Sequence, residues 1–388
     1  MRKWIALLVI AVLLLTGCWS RIEVSDLGVV AGLAVDTGEQ MPVRMTLYIS
    51  RSPGAGPFER GQSQWVVARE GRNVADAISQ IRRASARRIS LHHLRMVLVS
   101  EEYARRGMDE VLDLLARHPQ VRLLTRLMIV RGRAQPILEI EPTLEALQPE
   151  NLAEIVSAKG GPDPRLKELL VGRAAESFSP WVYALHTVER PARMENAPEK
   201  AVELAGAALL RQDRVVAMLD QRMTQALLWL EGNPREVTLI APCPDDGVHS
   251  LSAQVQRGEV AVYPSVVRGS LRILVAVTGT VDLVHSECLE DVVKPEDRAK
   301  LEHQLQVTLQ ARLERLIEIL QETETDPAAF GKWVQLRQTA FWRTLPQDGW
   351  PKVWKTTPVS LDVGIILNRA GLLIDPAHRT RAELEKGR

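Results

Sequence analysis

Residues 94–130 read LRMVLVSEEYARRGMDEVLDLLARHPQVRLLTRLMIV, and the change of period along them decides the fold class. Leu94–Val99 is a continuous apolar run of strand length. Ser100 then stands as an N-cap ahead of the acidic pair Glu101-Glu102, whose charges suit the start of a helix. Val111, Leu112, Leu114 and Leu115 lie on the apolar side of that helix. Val121–Val130 returns as a strand, and Gly132 closes the unit. Strand, capped helix, strand is the repeating phrase of a mixed sheet covered by helices.

Upstream, Leu27–Asp36 reads as a buried strand, and Val43, Met45, Leu47 and Ile49 alternate as a half-buried one. Ser52–Pro57 is a Gly/Pro loop before a third strand, Gln64–Arg69. Asn73 caps a helix carrying Val74, Ala77, Ile78, Ile81 and Ser85 at helical spacing. The order β-β-β-α-β-α-β makes residues 27–134 an N-terminal α/β domain. Residues 135–200 look mainly helical, a middle domain or connection broken by Pro142, Pro149, Gly160-Gly161-Pro162 and Pro180, with one strand at Trp181–Val188.

Residues 201–388 are expected to form a C-terminal domain. A hairpin turns at Gln212-Asp213, the helix Gln221–Leu230 stops at Gly232, and strands crowd at 236–241, 250–256, 259–267 and 270–285. A long helix spans 295–323, with Pro295 in its first turn. Its stripe Leu301, Leu305, Leu309, Leu313, Leu316, Leu320 suits either a sheet face, the preferred reading, or a coiled-coil seam. A Trp-rich segment, 330–354, holds Trp333, Trp342, Trp350 and Trp354 with Phe330 and Phe341. Those rings are read as packing material in preference to a docking face. Val359–Leu367 is the last strand, a turn follows at Asn368–Gly371, and the tail from Pro376 is charged. The fold class is thus α+β (mixed α/β), in about three domains, each a β-sheet flanked by helices.

The first residues carry a different message. Arg2 and Lys3 precede the twelve apolar residues Trp4–Leu15, and Leu15-Thr16-Gly17-Cys18 follows. Twelve residues rise about 18 Å as a helix, against a hydrocarbon core of roughly 30 Å. The stretch reads as a secretory signal, residues 1–17, that does not span. Leu-Thr-Gly-Cys fits the bacterial lipobox, which makes Cys18 the lipidation site. Its sulfur would carry S-diacylglycerol, with N-acylation of the freed amine left open. Each buried methylene contributes about 0.8 kcal/mol, so several long acyl chains hold a protein permanently. Residues 18–26 would be the lipidated tether, with the protein on the outer face of the cytoplasmic membrane. No other stretch reaches membrane-spanning length without charge.

Composition excludes several classes. Cleavage leaves 371 of 388 residues, with 47 basic against 48 acidic side chains. That near-neutral chain shows no contiguous basic stripe, so no nucleic-acid partner is expected. The two further cysteines, Cys243 and Cys288, each follow an expected strand. A disulfide between them is open, but without a framework two separate thiols are preferred. No His-Glu-x-x-His, Gly-x-Ser-x-Gly or phosphate loop is present, and no catalytic, cofactor-binding or metal residue is assigned. His92-His93 read as strand neighbours pointing to opposite faces, unsuited to one ion. Asp245-Asp246-Gly247 lacks the alternating ligands of a calcium loop and reads as a turn.

Several blocks together are similar to a known family. They are CWSRIEVSDLGVVAGLAVD at 18–36, HHLRMVLVSEEYARRGMDEVLDLLARHPQVR at 92–122 and AGAALLRQDRVVAMLDQRMTQALLWLEGN at 205–233. DPAAFGKW at 326–333, WPKVWK at 350–355 and VSLDVGIILNRAG at 359–371 complete the set. The chain resembles the Ger(x)C lipoproteins, the C subunits of nutrient germinant receptors in endospore-forming bacteria. It departs from them at His118, where the family is usually acidic, and at Leu209, Ala217 and Ala226. The resemblance implies three α/β-type domains and a non-enzymatic subunit without cofactor. It further implies assembly with the polytopic A and B subunits in the spore inner membrane. Two other classes compete. A solute-binding lipoprotein of a transporter needs two similar lobes, and no duplication is visible. An envelope hydrolase needs a nucleophile–base set, and none is found.

Overall fold

The computed structural model describes residues 26–50, 64–142, 145, 147–157, 162–190, 199–235, 237–244, 248–347 and 349–369, and Trp4. Cys18, the tether to Ser25, the 52–57 loop, Asp245-Asp246-Gly247 and the tail from Pro376 lie outside the described residues.

The chain opens with β1 (Leu27–Thr37), β2 (Val43–Ser50), β3 (Gln64–Gly71), α1 (Val74–Ala84), β4 (Arg88–Ser90) and β5 (Met96–Ser100). It continues through α2 (Glu101–Arg106), α3 (Asp109–Arg117), β6 (Arg126–Val130), α4 (Gln135–Glu139), α5 (Gln148–Ser157) and α6 (Leu166–Ala174). Then come β7 (Trp181–Arg190), β8 (Glu199–Arg211) and β9 (Arg214–Leu219). These nine strands form one sheet, ordered β3-β2-β1-β5-β6-β7-β8-β9, with β4 paired to the start of β1. β1, β5, β6 and β7 run parallel, while antiparallel strands close both sides.

Local choices in the sequence are visible here. Ser100 Oγ accepts the Tyr103 N–H at the start of α2, and Asn73 Oδ1 accepts the Asp76 N–H at the start of α1. The single helix expected after Ser100 is broken at Gly107, whose φ of 132° no other residue adopts easily. There the Met108 N–H turns to the Asp213 carbonyl at 3.0 Å and to its carboxylate at 3.1 Å. That contact ties the helix break to the β8–β9 turn.

The first sheet runs past the expected boundaries at 134 and 200. β7 pairs in parallel with β6 (Ile129↔Ala184), and β8 returns along β7. The segment 135–200, expected as a middle domain or connection, instead supplies one strand and three covering helices of the first sheet. Ile137, Leu138, Leu152, Ala153 and Val156 pack on one face with Met96, Leu98 and Met128. Leu166 and Leu169 join the opposite face, where Val97, Val99 and Ile129 meet α1 and α3. Strands with both faces covered need side chains that are apolar in continuous runs, which is why Met96–Val99 does not alternate.

The rest comprises α7 (Gln221–Leu230), β10 (Thr238–Pro242), β11 (Ser250–Val267), β12 (Ser270–Ser286) and α8 (Pro295–Glu322). α9 (Phe330–Arg337), α10 (Thr339–Trp342), α11 (Trp350–Thr356) and β13 (Val359–Arg369) end it. The second sheet is ordered β10-β11-β12-β13, antiparallel except for the parallel β12–β13 pair. All six leucines of the α8 stripe are buried in the core beneath it, each contributing about 2 kcal/mol. The stripe is a sheet-covering face and not a coiled-coil seam. Gln306 and Glu302 of α8 also cap the β13 edge, at the Ile365 carbonyl and the Leu367 N–H.

The two segments expected at 250–256 and 259–267 are one strand. Gly258 and Gly279 face each other across β11 and β12, and the Trp229 ring sits over both. A Cβ at either glycine would overlap that indole. Beyond the reach of β10, the open edge of β11 is capped by Arg337, donating to the Val262 carbonyl, and Gln338, donating to that of Pro264. Among the described residues no helix is long and apolar enough to cross a membrane.

Candidate functional site

Two buried carboxylates knit the second sheet and its helices to the first. Asp326 is 2% exposed and sits just ahead of α9, where it caps the helix start. It accepts the Phe330 N–H at 2.9 Å, the Gly331 N–H at 2.7 Å and the Trp350 indole N–H at 2.9 Å. Its backbone exchanges bonds with Ser179, at the entry to β7. Burial pushes its pKa up to about 6, against the pull of those N–H donors.

Glu231, at the end of α7, accepts the Trp181 indole N–H at 2.7 Å. The residue is partly exposed, but Oε2 is sealed and has no hydrogen-bond partner among the described residues. Tyr183 Oη and Trp229 Nε1 share that condition. Burial pushes the Glu231 pKa up to about 7, and burial together with the Glu231 charge raises that of Tyr183. The sequence does not single out either acid, since each looks like an ordinary residue beside a helix.

The aromatic segment packs at the same junction. Phe330 and Trp354 are fully buried and stack at 5.0 Å, with Trp350 at 6.1 Å from Trp354 and 5.5 Å from Trp342. Trp333 and Trp342 are half-buried, and Arg337 lies between the Trp333 and Tyr263 rings at 5.0 and 5.4 Å. The rings extend the main core and do not form a separate docking face.

A cavity of about 410 Å³ opens at the carboxyl ends of β1 and β5, beside Asp36, Thr37, Ser100, Glu101 and Arg133. Its carboxylates are engaged by the fold. Asp36 accepts the Ala134 and Gln135 N–H groups, and burial raises its pKa against them. Glu101 and Glu102 pair with Arg105 and Arg106, one turn on.

The remaining sequence candidates fall apart in space. His92 and His93 occupy an exposed turn between β4 and β5, not a strand, and His92 Nδ1 meets Ser90 Oγ at 3.1 Å. Among the described residues no three His, Cys, Asp or Glu side chains are grouped to hold a metal. Cys243 and Cys288, preferred as separate thiols, are joined as a disulfide across 45 residues. β10 and β12 both pair with the first part of β11, which brings the residues after each strand together.

Known proteins match both halves of the chain. Residues 20–184 match the spore germination protein N-terminal domain, and residues 205–371 the spore germination B3/GerAC-like C-terminal domain. The protein YfkR of Bacillus subtilis (strain 168) is 25% identical over 93% of this chain and 94% of its own. Spore germination protein KC of the same organism is 22% identical over 95% and 96%. The crystal structure of the GerBC protein shares the mixed α/β fold, with a TM-score of 0.57 at 16% identity, over 87% of this chain and 96% of that one. Two domain matches that together span nearly the whole chain, and relatives aligned end to end, place it in the Ger(x)C family of spore germination proteins, the germinant receptor C subunits.

Proposed function

We propose that this chain is the lipid-anchored, non-enzymatic C subunit of a nutrient germinant receptor, assembling with polytopic A and B subunits at the spore inner membrane. The observation that carries the reading is the family match over both halves, beginning two residues after the lipobox cysteine. The geometry supports it. The carboxylates of Asp326 and Glu231 hold helices to sheets, and those around the cavity beside Asp36 are engaged by backbone or arginine. The chain offers rigid, folded surface, and its tether brings that surface to partners in the membrane. Tethering turns association into a near-intramolecular event and raises effective concentration without a new contact.

Replacing Cys18 by alanine tests this in sporulating cells. The expected outcome is loss of the protein from the membrane fraction together with an impaired germinant response. A normal response with unanchored protein would overturn the mechanism. Co-purification of the A and B subunits with the wild-type chain checks the assembly.

A further inference from the structure

The tether enters the fold at one end of the first sheet, and that end is basic. β1 begins at Leu27, where it pairs with Arg88, so β4 lies beside the point of entry. α1 runs down to the same end and finishes with Arg82 and Arg83, followed by Arg87 and Arg88. β5 and β6 run parallel to β1, so the turns that precede them lie at this end as well. The turn at 122–125 adds Arg122 and is pinned to the start of α6, where the Lys167 N–H donates to the Leu123 carbonyl.

These five arginines and Lys167 have no ion pair among the described residues, and all but half-buried Arg87 are exposed. The acids nearby are taken up: Asp163 by Arg126 and Arg165, Asp113 by Arg117, and Glu168 by the Arg165 N–H. Among the described residues Asp26, just ahead of β1, is an acid at this end as well. The concentration of positive charge is felt by half-buried His118, whose pKa is lowered by burial, by Arg82 and by His92. Amid the charge the 122–125 turn presents two adjacent leucines, Leu123 and Leu124, at 50% and 61% exposure. Single exposed leucines are ordinary, but a paired apolar tip at the same end of the sheet as a set of arginines suits a membrane-surface contact.

The length of the chain outside the described structure limits where this end can be. From Cys18 to Leu27 is nine residues, a reach of about 30 Å when fully extended. A lipid on Cys18 therefore keeps the start of β1, and the basic end beside it, within about 30 Å of the bilayer. Resting on the anchored reading above, we infer that this end of the first sheet is a second membrane contact, an anionic lipid surface being its partner. Arginines engage the headgroups and Leu123-Leu124 enter the interface. The contact fixes the orientation in which the rest of the chain meets its partners.

The test uses the chain from Trp19 onward, which lacks the lipid site but keeps every core residue, from Val30 to Leu367. It is sedimented with vesicles of phosphatidylcholine alone or mixed with phosphatidylglycerol. Binding to the mixed vesicles only, lost as salt is raised, is expected. Each basic residue near an anionic surface is worth about fivefold in partition, so Arg87→Glu with Arg88→Glu should weaken binding by at least about 25-fold. Leu123→Ser with Leu124→Ser should weaken it at every salt concentration. Equal sedimentation with both vesicle types, or wild-type binding by both variants, overturns the inference. Absent lipid binding, with a germination defect in Arg87→Glu/Arg88→Glu spores, assigns this end to a protein partner and overturns it too. The mass of Cys18 in the protein from spores reads the anchor separately, so failure of the anchor and failure of the contact are distinguishable.

Discussion

Glu231 makes the junction between the sheets sensitive to pH. Its Oε1 takes the Trp181 indole N–H, but Oε2 is sealed without a partner, so the charged form is poorly compensated. Burial raises the pKa from 4.5 to about 7, the Trp181 bond opposing it. The folded state therefore binds this proton more tightly than the unfolded state. The resulting stabilisation is full below about pH 4.5 and disappears as pH rises through about 7. At about 1.4 kcal/mol per pKa unit, the whole effect is about 3 kcal/mol. Asp326 acts in the same direction through a lower window, ending near its pKa of about 6, so wild-type data alone mix the two.

Glu231→Gln separates them, because the amide still accepts from Trp181 and cannot ionise. Urea unfolding of both proteins, followed by tryptophan emission between about pH 5 and about pH 8, gives the difference. The variant should lie within about 1 kcal/mol of wild type at the acidic end and gain up to about 3 kcal/mol at the alkaline end. A difference that is flat with pH, or that favours wild type increasingly as pH rises, would refute the assignment of Glu231 as a buried, uncompensated acid.

Three further outcomes follow from the junction and the second sheet. Asp326→Ala orphans two backbone N–H groups and the Trp350 indole, and should cost about 3 to 5 kcal/mol in urea unfolding at neutral pH. Opening the Cys243–Cys288 disulfide frees a loop of 45 residues, which chain entropy values at about 4 kcal/mol. The double alanine variant, or wild type in reductant, should melt at a correspondingly lower Tm. Gly279→Ala drives a methyl into the Trp229 ring and should destabilise by about 1 to 3 kcal/mol, with a changed Trp229 environment in near-ultraviolet circular dichroism.

What could be read in the sequence, and what could not, divides by the range of the interactions. Ser100 and Asn73 were legible as caps because a cap is set by residues three apart. The α8 leucines were legible as a buried face because their spacing is that of a helix. Strand order was not, since pairing β7 beside β6 depends on contacts between residues more than fifty apart. Two strands were expected at 250–256 and 259–267, yet Gly258 between them lies within one strand and leaves room for Pro234 and the Trp229 ring, a requirement set from outside the strand. Asp326 and Glu231 were invisible for the same reason, as their indole donors come from α11 and β7. The arginines show the effect most directly. Scattered between residues 82 and 122 they form no stripe in sequence, and net charge near zero hides them. They become a surface only when α1, β4 and the turn before β6 end at the same place. That place is where the chain enters β1, so the anchor proposed at Cys18 and the charge legible only in the fold bear on one end of the molecule.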